Sequence, residues 1–396
     1  MGLLQEDGRP GRGRHPPPAA DVTTVSVRTV NTAAPAAAVA LGVFAAVRGA
    51  GVLVLAAGAW WAGKSPVKVL GGSWDSVWYL HIAAHGYGRT QMWADTGSVQ
   101  SDYAFFPLYP LLVRLAGGTA SAGLAVAWAA AALAAVGVHR VGARLLGPRG
   151  GVLLVALWAV LPHSVVLTLG YTEALLAALA AWTLYALLCG RWLWAAGLSV
   201  LAGLTRPTGI AVAAAVSVMA LHELALRRSR APEVWAAGLL APMGWAAYVL
   251  AVGARGRDPL GGYFTVQRRW GSRFDFGVGA LRSAEKVVSG GHVPLATTVT
   301  VAVLAAAVLL AVLLALDRMP LAVLAYTGVL MLITFGGAGF FESKPRFLVP
   351  AFPLLLPVAA VMARARPRTA VMVTAVLAGL SCGYGVYLLL VAKVPL

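Results

Sequence analysis

The residues of this chain that can do chemistry are few, and they gather in short stretches. Asp75 stands among Trp74, Trp78 and Tyr79 in GGSWDSVWYLHIAAHGY (71–87). A carboxylate so placed suits a general base, which takes the proton of an attacking hydroxyl. The rings around it suit stacking on sugar faces. The same residues also read as an interfacial helix, with the rings at the bilayer boundary and Asp75 capping a helix over Ser76–His85. Asp102, ahead of AFFPLYPLL (104–112), is a second acidic candidate for the base, and otherwise for substrate binding. Glu173 and Arg206 lie at the ends of apolar runs, where ionisable groups are costly and either pair or act. They read as a structural pair, or as a substrate contact beside a phosphate-binding arginine.

Two further clusters carry cations. DPLGGYFTVQRRWGSRFDF (258–276) holds Arg268, Arg269 and Arg273 among aromatic residues, and FESKPRF (341–347) holds Glu342, Lys344 and Arg346. Guanidinium groups grip phosphate through paired hydrogen bonds, so both are candidate phosphate sites. The alternatives are an amphipathic helix held to anionic headgroups and side chains snorkelling to the interface. Arg48 sits inside an apolar run and must face the bundle interior with a partner. His81, His85, His163 and His292 show no metal-ligand spacing, and Cys189 and Cys382 form no framework, so no metal and no cofactor are expected.

The chain that positions these residues is 60% hydrophobic and 11% charged, with mean hydropathy +0.79. A soluble domain carries about 25% charged residues. The apolar residues come in long runs, many near the ~20 residues a membrane-crossing helix needs. An all-α polytopic membrane protein is expected, with helices near 36–60, 119–138, 150–169, 172–189, 191–204, 207–225, 233–253, 293–316, 319–336, 347–363 and 369–392. That is about 11 spans, with 10–12 open because 191–204 is short. The net charge of +17 is scattered over short loops and does not point to nucleic acid. Residues 1–35, rich in Pro, Gly and Arg, read as a disordered tail, and 36–396 as one transmembrane domain.

Orientation follows from the basic residues. Arg9, Arg12, Arg14 and Arg28 precede the first span and place the N-terminus in the cytoplasm. Alternation then puts the short basic loops at Arg140–Arg149, Arg191, Arg227–Arg230, Arg318 and Arg364–Arg368 inside. The long loops at about 61–118 and 254–292 fall on the extracytoplasmic face, together with Asp75, Asp102, Glu173, Arg206, Arg268, Arg269, Glu342, Lys344 and Arg346. Long loops in a compact protein are usually functional. A transporter or flippase of a lipid-linked or anionic solute is the competing reading, and a membrane scaffold a third, though the two halves of the chain share no motif of the inverted-repeat kind.

Taken in order, WDSVWYLHIAAHGY (74–87), AFFPLYPLLVRL (104–115), GYTEALLAALAAWTLYAL (170–187), LAGLTRPTG (201–209), VQRRWGSRFDFG (266–277) and KPRFLVPAFPLLLP (344–357) resemble the PIG-V-type mannosyltransferases, the GPI mannosyltransferase II family, and its actinobacterial members especially. The resemblance spans about 70–360. It implies a GT-C glycosyltransferase bundle with an extracytoplasmic active site. It further implies a metal-independent polyprenyl-phosphate-mannose donor, an inverted α-mannoside product, and Asp75 as the catalytic residue of the W-D motif. A glycan, glycolipid or protein acceptor is expected alongside membrane lipid, with the acceptor itself left open. The resulting expectation is an integral-membrane mannosyltransferase with donor phosphate held by Arg206, Arg268, Arg269, Arg273, Lys344 and Arg346. Substrate contacts are expected from Trp74, Trp78, Tyr79, Asp102, Glu173 and Glu342.

Overall fold

The structure, a computed structural model, describes Gly2 and residues 25–92, 97–226 and 231–392. Most of the expected polar tail, and the expected loop cations Arg227, Arg228 and Arg230, lie outside the described residues.

The described residues are helical almost throughout. The first helix, α1 (Val25–Trp61), begins well inside the stretch expected to be a disordered tail. Its membrane-length apolar part runs from Pro35. Short helices α2 (Pro66–Gly71), α3 (Asp75–His85) and α4 (Leu108–Leu115) fill the first long loop. Between α3 and α4 strands β1 (Thr90–Met92) and β2 (Val99–Ser101) pair antiparallel. The bundle continues through α5 (Ala120–Ala159), α6 (Glu173–Leu188), α7 (Trp192–Gly203), α8 (Ile210–Ala225), α9 (Pro232–Leu240) and α10 (Met243–Arg255). The second long loop folds into α11 (Gly262–Arg269), β3 (Arg273–Phe274) and α12 (Val278–Val288). Then come α13 (Leu295–Leu316), α14 (Leu321–Gly336), β4 (Gly337–Ala338), α15 (Lys344–Phe347), α16 (Leu356–Arg364) and α17 (Pro367–Val386).

Among the described residues, 6 helices are long and apolar enough to cross a membrane, or up to 7 if the pair 341–347 and 352–364, bent by 76°, is one span. This falls short of the eleven expected from hydropathy. Three of the expected spans, α6, α7 and α14, are apolar but only 10–17 residues long. The spans expected at 119–138 and 150–169 meet in α5, which is broken at Gly147 (φ 82°, ψ 170°) ahead of Pro148. Gly147 adopts a conformation that other residues avoid, and Pro148 withholds a helical N–H. Beyond the break the chain turns back on itself. A Cβ on Gly142 would stand 2.8 Å from the Cα of Gly151, whereas nine residues of straight helix span about 13.5 Å. The two limbs of α5 are therefore an antiparallel hairpin. The expected 233–253 helix is likewise interrupted between α9 and α10 at Pro242.

The core is built from alanine, leucine and valine on α5, α6, α7, α8 and α14. Small residues let backbones approach closely where no water drives helices together, and Gly244 of α10 meets the backbone at Val200 of α7 in this way. Arg48 has the partner that the sequence left open. Its Nη1 donates to Ser164 Oγ at 2.8 Å and to the Ala159 carbonyl at 3.2 Å, and Ser164 Oγ lies 3.1 Å from Ser381 Oγ. The buried guanidinium thus ties α1 to the end of α5 and to α17. Arg48→Met removes both charged hydrogen bonds, at about 1.5–3 kcal/mol each, while the Ala159 carbonyl keeps the bond from Ser164 Oγ at 2.8 Å. The expected result is a lower thermal unfolding midpoint in detergent with normal activity in the surviving fraction; an unchanged midpoint contradicts this role.

Candidate active site

Asp75 is the first residue of α3. Trp74 holds the N-cap position at φ 51° without a side-chain capping bond, so Asp75 does not cap the helix it opens. A non-glycine residue at positive φ marks local strain of the kind found at functional sites. Two bonds fix α3 against the turn that starts α6: Ser76 Oγ donates to the Gly170 carbonyl at 3.0 Å, and the Tyr79 hydroxyl lies 3.3 Å from Thr172 Oγ1. This brings Asp75 beside Glu173, the first residue of α6.

Four charges from four segments then alternate in a chain. Asp75 Oδ2 accepts a hydrogen bond from Arg346 Nη2 of α15 at 2.6 Å. Arg346 Nε lies 3.6 Å from Glu173 Oε1, and the same oxygen is 2.6 Å from Nη1 of Arg206, which precedes Pro207. Aromatic faces hold the cations: Arg346 stands 5.2 Å from the Tyr171 ring and 5.0 Å from Phe347, and Arg206 is 5.1 Å from Phe347. Such packing favours a partly desolvated guanidinium. The two carboxylates differ in access. The Asp75 side chain is 27% exposed and that of Glu173 only 2%. Glu173 is a buried counter-charge, and Asp75 is the open carboxylate. Arg206 Nε and Arg346 Nη1 remain buried without a hydrogen-bond partner.

Asp75, Arg206, Arg346 and Phe347 border a pocket of about 920 Å³. Trp74, Asp75, Trp78, Tyr79, Arg206, Arg268, Arg269 and Arg346 line it. Its aromatic wall is Trp78 stacked on Phe105 at 5.8 Å with Trp270 edge-on at 5.1 Å. Arg89 covers Trp78 at 4.8 Å. The wall is pinned from behind, since Trp270 Nε1 donates to the Ser101 carbonyl at 2.9 Å and the Tyr248 hydroxyl to that of Phe105 at 2.6 Å. Counting the buried Glu173, four arginines face two carboxylates, so the site carries excess positive charge suited to an anion.

The remaining expected site residues stand elsewhere. Asp102 is fully buried, and Oδ2 accepts the backbone N–H groups of Gly88 at 2.9 Å and Arg89 at 2.8 Å, closing the base of the β1–β2 hairpin. Lys344 donates to the carbonyls of Thr334, at 2.6 Å, and Gly337, so its charge is spent on the end of α14. Glu342 accepts from Thr297 Oγ1 at 2.9 Å and fastens α13. Arg273 is exposed on β3, and none of these four lines the pocket. Conversely, Gln91, Gln100, Gln267, Trp270 and Phe347 line it without having been expected. Trp270 and Phe347 adjoin expected cations in the sequence, which was an available signal. The glutamines carry none.

The His81 and His85 rings lie 4.8 Å apart, tilted by 31°, outside the pocket. Burial first, then Arg89 and His85, push the His81 imidazole below its ordinary value, keeping it neutral near pH 7. Among the described residues no three His, Cys, Asp or Glu side chains stand together as a metal site.

Residues 67–229 match the sequence model of the family described as Mannosyltransferase (PIG-V). That region includes the first four of the six motifs and leaves 266–277 and 344–357 outside. No curated protein matches significantly. Among solved structures, ArnT from Cupriavidus metallidurans bound to undecaprenyl phosphate is similar at TM-score 0.51 and 14% identity, over 84% of this chain and 63% of that one. The Archaeoglobus fulgidus oligosaccharyltransferase, tethered with an acceptor peptide, gives TM-score 0.46 and 11% identity over 87% and 54%. The chain thus spans less than two thirds of the length of either. The ArnT likeness places the bundle in the same GT-C-like fold.

Proposed function

We propose that this chain acts as its match over residues 67–229 to the PIG-V mannosyltransferase model suggests, moving mannose from polyprenyl-phosphate-mannose to an acceptor hydroxyl, with inversion to an α-mannoside. The observation that carries the reading is the open Asp75 carboxylate paired with Arg346 inside a pocket of excess positive charge. ArnT was solved with undecaprenyl phosphate, and a lipid phosphate of that kind suits the unpartnered nitrogens of Arg206 and Arg346.

In this reading the donor phosphate binds Arg206 and Arg346, with Arg268 and Arg269 adding to the field at the rim. Arg346 exchanges the Asp75 carboxylate for the phosphate, and Asp75 turns to the acceptor. The acceptor oxygen attacks the anomeric carbon from the face opposite the phosphate. The new C–O bond forms as the bond to the phosphate oxygen breaks, the proton passes to Asp75, and the polyprenyl phosphate leaves with the bonding electrons. The arginines stabilise the charge that builds on the departing phosphate. Glu173 keeps both guanidinium groups in place while Arg346 changes partner. Trp74, Trp78 and Tyr79 shape the sugar side of the pocket.

The same proposal treats residues 36–396 as one catalytic membrane domain with a cytoplasmic tail before it. Eleven crossings result if each limb of the α5 hairpin, the short helices α6, α7 and α14, and the joined pairs α9–α10 and α15–α16 all cross. The hairpin turn at Gly147, with Arg140, Arg144 and Arg149, then lies in the cytoplasm, and the pocket opens on the other face.

Donor kinetics test the phosphate assignment. Losing one charged hydrogen-bond partner costs about 1.5–3 kcal/mol, so Arg206→Gln raises the donor KM about ten- to a hundredfold. Lys344→Gln leaves the donor KM of the folded protein unchanged, because Lys344 binds only carbonyl groups of its own chain. The reverse ranking contradicts the assignment.

A further inference from the structure

Helix α12 has no role in the site, yet it presents an apolar row that no other described residue covers. None of its residues is buried. At 100° per residue, Val278, Leu281 and Val288 fall on one flank. Leu281 is 71% exposed, Val288 85%, and Phe276 just before the helix 86%. The adjoining flank carries Arg282 and Lys286, both exposed. The single acidic residue, Glu285, is exposed within the apolar row, between Leu281 and Val278, at i+3 from Arg282. The opposite, less exposed flank carries Gly279, Ala280, Ser283, Ala284 and Val287.

Position decides what covers the apolar row. Only residues 289–294 separate α12 from α13, the most apolar of the membrane-length helices. Six residues reach at most about 20 Å, and α12 packs against α13. The helix is therefore held at the membrane surface, on the face where the pocket lies. An eleven-residue helix with an apolar flank beside a cationic one is the pattern of a segment lying in the headgroup region. Lys and Arg near that surface are attracted to anionic lipid.

We propose that α12 is a membrane-surface anchor: Val278, Leu281 and Val288 enter the boundary between headgroups and acyl chains, while Arg282 and Lys286 hold the phosphates of anionic phospholipids. The anchor also levels the pocket. Strand β3, just ahead of α12, pairs with β4 through Arg273–Ala338 and Phe274–Gly337, and the Phe274 ring fills the space that a side chain at Gly336 would need. Ahead of β3 come Arg268, Arg269 and Trp270 of the pocket rim. Asp275 locks the junction by accepting the N–H groups of Gly277 at 3.0 Å and Gly279 at 2.8 Å. Seating α12 thus sets the rim at the depth where the headgroup of a lipid-borne substrate arrives. The inference needs only that the chain spans a membrane, and it stands or falls apart from the sugar transferred.

Spin labels test it. In full-length protein with Cys189→Ala and Cys382→Ala, single cysteines are placed at 278, 281, 282, 286 and 288 and labelled in nanodiscs of phosphatidylglycerol and phosphatidylcholine. Labels at 278, 281 and 288 are expected about 5–10 Å below the phosphate level, protected from a water-soluble relaxant and relaxed by oxygen. Labels at 282 and 286 are expected to relax with the water-soluble agent. Equal aqueous access at 281 and 282 overturns the anchor. Phosphatidylcholine alone is expected to raise the 281 label toward water, and Arg282→Gln with Lys286→Gln to abolish the difference between the two lipids. A depth indifferent to phosphatidylglycerol overturns the anionic-lipid preference. Five independent surface positions keep the test decisive if one variant fails to fold.

Discussion

Asp75→Asn is expected to abolish mannosyl transfer while leaving the protein folded and inserted. A positioned general base contributes about 10²–10⁴ in rate, and asparagine cannot take the acceptor proton. The substitution is nearly isosteric, and the amide oxygen can still accept from Arg346 Nη2. Glu173 remains as the buried counter-charge to both arginines. Unfolding midpoint and donor KM should therefore stay close to wild type while kcat collapses. Undiminished kcat in a folded Asp75→Asn protein contradicts the role given to Asp75.

Glu173→Ala should do the opposite. Its carboxylate is only 2% exposed, lies 2.6 Å from Arg206 and approaches Arg346 as well. Removing it leaves Arg206 buried without a counter-charge and Arg346 with Asp75 alone. Breaking a buried pair by deleting one partner costs about 3–5 kcal/mol, a large part of the ~5–15 kcal/mol that holds a typical domain folded. The expected result is a marked drop in folded yield and in unfolding midpoint, with Glu173→Gln intermediate because it keeps a hydrogen-bond acceptor. A Glu173→Ala protein as stable as wild type contradicts the network. The contrast is informative because both carboxylates touch Arg346, and only their exposure separates them.

The sequence made the bundle legible because apolar runs of membrane length need no partner to declare themselves. It placed α6, α7, α13 and α14 within a few residues. It placed the two limbs of α5 as successive spans but missed that they run on through 139–149 to a tight turn at Gly147, since hydropathy does not register a turn of one residue. It missed β1–β2 and β3–β4, two or three residues long, and the tilted pair around α15.

Asp75, Arg206 and Arg346 were visible as rare charges beside apolar segments, and the structure gathers them at one pocket from parts of the chain up to 271 residues apart. What the sequence could not supply was the pairing. Lys344 and Arg346 are two residues apart, yet one turns to the end of α14 and the other to Asp75, because neighbours two apart on a helix point in different directions. Asp102 carries the same acid as Asp75 and serves only backbone amides. A charge type marks a candidate; the groups that fold against it decide whether it reaches the substrate.

The most direct test of the central claim, that a lipid-linked sugar phosphate is the donor, is to follow labelled mannose with purified protein in lipid vesicles. The vesicles carry polyprenyl-phosphate-mannose, or GDP-mannose is added in the water phase. The account predicts that label leaves the polyprenyl phosphate in a protein-dependent reaction and appears in an α-mannoside, with free polyprenyl phosphate formed in equal amount and none drawn from the nucleotide sugar. Transfer from GDP-mannose, or vesicles whose lipid-linked mannose stays untouched in the presence of mannoside, lipoglycan and hydroxyl-peptide acceptors, would contradict it.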